Sequence, residues 1–151
     1  MAIKNTRDVL DYVREYHKKL SDFYHKLADQ THRERVKILL DYMARHERHF
    51  EESLAAYEKD ASKTVMDSWL QCAPDIDIDD TFTDVNLESD MSVDDVVNLA
   101  VKFDNYVIEL YKKIADSCEL TETKNVFTKL LEMENHEKYN LVRQAMRLND
   151  L

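Results

Sequence analysis

Glycine is absent from this 151-residue chain and proline occurs once, at Pro74. Phosphate-cradling loops, dinucleotide-binding fingerprints and tight primed hairpin turns all need positive φ or close backbone approach, so the lack of glycine excludes them. An all-α fold is what remains. Cysteine is scarce too: Cys72 and Cys118 form neither a Cys-x-x-Cys pair nor a disulfide framework, a pattern that fits a reducing, cytoplasmic setting better than a secreted mini-protein. No stretch approaches the roughly 20 apolar residues of a membrane helix. Met1 to Leu20 carries charges throughout, without the apolar centre of a signal peptide. The reading is a soluble protein with no membrane partner.

Basic excess is also missing. The formal charge is −10, from 31 acids and 21 bases. Nine of those acids lie between Asp75 and Asp95, where there is no Lys or Arg, so 22 acids face 21 bases elsewhere. That balance provides no basic face for nucleic acid. A chain of this length forms one compact domain, 1–151, able to bury roughly 70% of its unfolded surface.

Four stretches keep a 3.6-residue apolar period and predict helices over about 6–30, 31–60, 92–118 and 121–148. Their inward stripes are Leu10, Val13, Leu20, Tyr24 and Leu27; Val36, Leu39, Leu40, Met43, Phe50, Leu54 and Tyr57; Val96, Val97, Ala100, Val107, Tyr111 and Ile114; and Phe127, Leu130, Leu131, Leu141, Ala145 and Leu148. Thr31 with Glu34 and Ser92 with Asp95 read as capping boxes, and Thr121 as the cap of the last helix. Short joints make helices one and two an antiparallel hairpin, and three and four another. Between the hairpins, residues 61–91 form a long acidic crossover with a helical turn predicted near Thr64 to Gln71. The result is a ferritin-like four-helix bundle, two hairpins joined by one crossover. Phe23 to Asp29 is echoed by Leu110 to Asp116 at the same place in the other hairpin, as a duplicated two-helix unit would produce.

Each stripe is interrupted near its middle by one ionisable residue: His17, Glu47, Asp104 and Glu134. The middles of four bundled helices share one level, so these side chains are expected to meet. Three carboxylates in an apolar interior must be protonated, paired or neutralised. The central turns supply no Lys or Arg, and His17 alone does not balance three negative charges. Glu137, one turn after Glu134, adds a fourth carboxylate. Four carboxylates and one imidazole form a hard, oxygen-rich donor set, suited to iron or manganese more than to structural zinc. Two ions bridged by Glu47 and Glu134 would use all five ligands.

With those residues in place, the chain resembles the rubrerythrin-like branch of the ferritin-like superfamily from Thr6 to Leu148. That family carries Glu, then seven residues later a Tyr-x-x-Leu-Ala-like segment, then Glu-x-x-His about 23 residues beyond the Tyr, all repeated. Tyr24-His25-Lys26-Leu27-Ala28 and Tyr111-Lys112-Lys113-Ile114-Ala115 match the segment. Counting seven back reaches His17 and Asp104; counting 23 forward reaches Glu47 and Glu134. Four departures stand out: His17 and Asp104 replace glutamates, and Phe50 and Glu137 replace histidines. The resemblance implies a di-iron or Fe/Mn centre with oxidase, peroxidase or iron-handling chemistry, and hydrogen bonds from Tyr24 and Tyr111 to the ligands' outer oxygens. The rubredoxin-like Cys₄ module of the family is missing, which implies an external electron-donor protein. A homodimer is the expected assembly. The alternative is a metal-free helical scaffold that kept the fold while its ligands drifted.

Smaller signals carry less. His46-Glu47-Arg48-His49 lacks the second His of a zinc-protease motif, because position 50 is Phe. His46, His49 and His136 flank the stripes, and His25 and His32 are expected at the surface. Asp75-x-Asp77-x-Asp79 imitates the start of a calcium loop but lacks its turn glycine and closing glutamate.

Overall fold

The structure, a computed structural model, describes residues 5–70 and 91–149. It contains α1 (Thr6–Gln30), α2 (Glu34–Asp60), a single-turn α3 (Lys63–Met66), α4 (Val93–Ser117) and α5 (Thr121–Asn149). No strand occurs among the described residues, apart from one isolated bridge between Asn5 and Trp69. The four long helices match the four periodic stretches to within a few residues. The acidic run with Pro74, the calcium-loop imitation and Cys72 lie outside the described residues.

Local chemistry explains the helix boundaries. Asn5 caps α1: its side chain accepts from Asp8 N–H at 2.9 Å, and its own N–H donates to Asp8 Oδ2 at 3.2 Å. Ser92 and Asp95 form the expected box on α4, at 3.0 and 3.1 Å. Two expectations about caps need correcting. Thr31 does not open α2; it closes α1, its N–H donating to Leu27 O at 3.1 Å while its hydroxyl accepts from Arg33 N–H at 3.2 Å. The N-cap of α2 is Arg33, with no side-chain hydrogen bond, because a three-residue joint leaves Thr31 too far back to serve both ends. Thr121 is the first helical residue of α5, and the Leu120 carbonyl one position earlier accepts from Lys124 N–H at 3.0 Å.

The helices pair as two hairpins, α1 with α2 and α4 with α5. Contacts run in opposite directions along each pair. Ser21, His17 and Arg14 meet Ala44, Glu47 and Glu51 in turn, and Asn105 and Asp94 meet Lys138 and Asn149. A buried Ser21 hydroxyl donates to the Ala44 carbonyl at 2.8 Å, so two small residues let α1 and α2 approach closely. The core takes the predicted stripes, with Tyr57, Val97, Leu131 and Leu148 only partly buried. It also takes Tyr12, Tyr16, Phe103 and Leu110, which widen the apolar faces beyond the strict stripe. Each fully buried side chain of this kind contributes about 1.5–3 kcal/mol relative to exposure. Among the described residues no helix is long and apolar enough to cross a membrane.

Candidate metal centre

The four interruptions do meet. His17 and Asp104 are each twelfth in helices of 25 residues, and Glu47 and Glu134 are each fourteenth in helices of 27 and 29 residues. The bundle therefore brings all four to one level, two from each hairpin. His17 stands in the middle: Nδ1 is hydrogen-bonded to Glu47 Oε2, and Nε2 to Glu134 Oε1 at 2.8 Å. His17, Asp104 and Glu134 are buried, and Glu47 is nearly so. Together with Glu137 they line a cavity of about 20 Å³, enough for one water-sized body. The second carboxylate oxygen of Glu134 is buried without a hydrogen-bond partner.

Phe50, at a position where the sequence comparison expects a ligand, packs its ring edge-on against His17, with centroids 4.8 Å apart. It fills that side of the site with hydrocarbon. Glu137 faces the cavity from the other side and pairs with His46, whose Nδ1 lies 3.7 Å from Glu137 Oε2. Tyr24 and Tyr111 are buried as expected, but their hydroxyls have no hydrogen-bond partner and do not reach the carboxylates. This corrects the bonding role drawn from the family pattern: in this arrangement the carboxylates turn to His17 instead.

Electrostatics follow from burial. Desolvation disfavours a charged imidazole, yet Glu134 and Glu47 together hold the His17 pKa well above the ordinary histidine range. Burial raises Asp104 far above the usual carboxylate range, and the charges of Glu47 and Glu134 push it the same way. Burial also raises Glu134, against the pull of His17. The directions agree: burial and neighbouring carboxylates favour a proton on Asp104, and Glu134 and Glu47 favour one on His17, so the cluster is biased toward less negative charge than a count of acids suggests. Tyr24 and Tyr111 are raised by burial and then by the nearby carboxylates, Glu47 and Asp104 for the former and Glu134 for the latter.

One cation close to the site escaped the sequence reading. Arg14, one turn before His17, does not enter the cluster; it donates to Glu51 at 3.1 Å and Glu58 at 3.2 Å. The signal was present, because in an antiparallel pair that joins His17 to Glu47, the residue three before His17 meets the residue four after Glu47.

The donor types suit a hard metal ion, and the second Glu134 oxygen is buried and unpartnered in a residue that lines the water-sized cavity. The groups are held by hydrogen bonds through His17, and among the described residues no three His, Cys, Asp or Glu are placed to hold a metal ion as they stand.

Comparison with known proteins agrees with the pattern. Residues 21–143 match the rubrerythrin family. A crystal structure of a protein from Thermotoga maritima, described as a ferritin-like diiron-carboxylate protein, superposes with a TM-score of 0.58 at 17% identity, covering 94% of this chain and 95% of that one. At that identity the likeness speaks for the shared helical-bundle fold. No curated protein matches the chain in sequence.

Proposed function

This chain belongs to the rubrerythrin family, and from that premise we propose that it is a non-haem carboxylate metal-binding protein. The observation that carries the reading is the buried Glu134 carboxylate, with one oxygen on His17 and the other unpartnered beside the cavity. A buried, unsatisfied carboxylate oxygen costs stability unless something else occupies its lone pairs. His17, Glu47, Asp104, Glu134 and Glu137 are the residues that would hold the metal, as two irons or a mixed iron and manganese pair. When bound, such a centre supplies redox chemistry toward oxygen or peroxide, or takes up and releases iron. The chain's own contributions are distinct. The four helix centres fix the donors at one level, Phe50 excludes water from one flank, and any proton favoured on Asp104 or His17 has to leave before that side chain ligates a cation. Electrons for turnover come from a separate donor protein.

A second reading is favoured by a specific observation. His17 already bonds both Glu47 and Glu134, and these carboxylates favour the imidazolium that a metal-free scaffold would require. Thermal unfolding with and without anaerobic Fe²⁺ separates the two. A metal present at about 100 times its dissociation constant adds about 2.7 kcal/mol, or a rise of about 5–10 °C for a chain of this size. An unchanged melting temperature would select the scaffold.

A further inference from the structure

The lining of the central cavity divides into an inner and an outer set. Side-chain exposure falls from 43% at His46 and 31% at Glu137 to 14% at Glu47 and 1% at Glu134. The cavity therefore opens along the seam between α2 and α5. These two helices belong to different hairpins, so side chains alone close the seam. Tyr42 and His46, one turn apart on α2, pack ring against ring, tilted by 33° with centroids 4.1 Å apart, and His46 reaches across to Glu137 on α5 at 3.7 Å. The same side chains line the cavity. The roomier clefts beside Arg33 to Val36 and between Trp69 and the Ser117 to Leu120 joint share no lining residue with it. A partly exposed pair such as His46 and Glu137 is screened by water and separates readily.

We propose that Tyr42, His46 and Glu137 form the mouth of this cavity and set how fast small solutes, divalent cations among them, reach His17, Glu47 and Glu134. The part concerning cations rests on the metal-binding reading above. The mouth acts on access: the inner carboxylates set how tightly an ion is held, and the packed rings of Tyr42 and His46 set how quickly it passes. Glu137, placed between rim and interior, gives an incoming cation a carboxylate before it reaches the buried ones.

The test compares the wild-type chain with a Tyr42→Ala/His46→Ala double variant and with His46→Gln, which keeps the bulk of the side chain but not the imidazole. Two rates are read. One is association of Co²⁺, followed by stopped-flow visible absorbance. The other, in metal-free protein, is isotopic modification of His17, the exchange of its imidazole C2 hydrogen for deuterium, which needs neither ring nitrogen free, quantified by peptide mass against exposed His25 as internal reference. The double variant should raise both rates by about fivefold or more while changing the Co²⁺ dissociation constant by less than about twofold, with His46→Gln falling between. Unchanged His17 modification in the double variant overturns the mouth, whatever cobalt does. Faster modification with an unchanged cobalt rate overturns it for cations. Faster modification with no cobalt bound by any form supports the mouth and overturns the metal-binding reading.

Discussion

His17 and Glu134 face each other across the core with Nε2 and Oε1 2.8 Å apart, although 117 positions separate them in sequence. Because Nδ1 of the same ring bonds Glu47, a single imidazole ties the first hairpin to the second at the bundle's midpoint. Removing it leaves buried carboxylates without their counter-charge. His17→Ala should therefore destabilise the metal-free protein by about 3–5 kcal/mol at neutral pH, measured by urea unfolding. A loss below about 1 kcal/mol would mean that the ring carries no charge there.

The protons at this site give stability an unusual pH dependence. His17 and Asp104 both have folded-state pKa values above their unfolded ones, so the folded chain binds more protons than the unfolded chain. Their contribution is complete below the unfolded values and is lost as pH rises through the folded ones. For Asp104 the loss begins above the ordinary aspartate value of about 3.9, and for His17 above about 6.5. Metal-free protein should become more stable as pH falls from 8 toward 5, and Asp104→Asn should flatten the lower part of that slope. Thermal melts across the range check the sign.

The buried tyrosines separate by their partners. Tyr16 Oη donates to the Phe103 carbonyl at 3.3 Å, whereas the Tyr24 and Tyr111 hydroxyls have no partner. Tyr16→Phe should cost about 1 kcal/mol, while Tyr24→Phe and Tyr111→Phe should be neutral or stabilising. Chemical denaturation of the three variants tests the ordering.

The caps separate in the same way. Ser92→Ala removes half of a reciprocal pair on α4 and should cost about 1 kcal/mol. Thr31→Ala removes one exposed bond in a joint and should cost less than about 0.5 kcal/mol. Equal costs would restore Thr31 as a cap of α2.

Much of this arrangement was legible in the sequence because helical period and helix length are local properties. His17, Glu47, Asp104 and Glu134 break four stripes at four midpoints, and the bundle has only one midpoint. A Ser/Thr-x-x-Glu pattern does not reveal which of two adjoining helix ends it serves, so Thr31 reads as the start of α2 although it closes α1. The bridging role of His17 was hidden for another reason. Sequence gives the number of charges that meet but not which of them hold protons, and here burial of Asp104 changes the sum. The pairing of His46 with Glu137 depends on the separation of α2 from α5, which no spacing within one helix encodes.

Elemental analysis of protein purified without chelator decides whether this buried cluster binds metal. Iron or manganese is expected at about two ions per chain, with most of it lost from a folded Glu47→Ala/Glu134→Ala variant. Equal metal in both forms, or a wild-type chain that stays metal-free after incubation with Fe²⁺ or Mn²⁺, would contradict it.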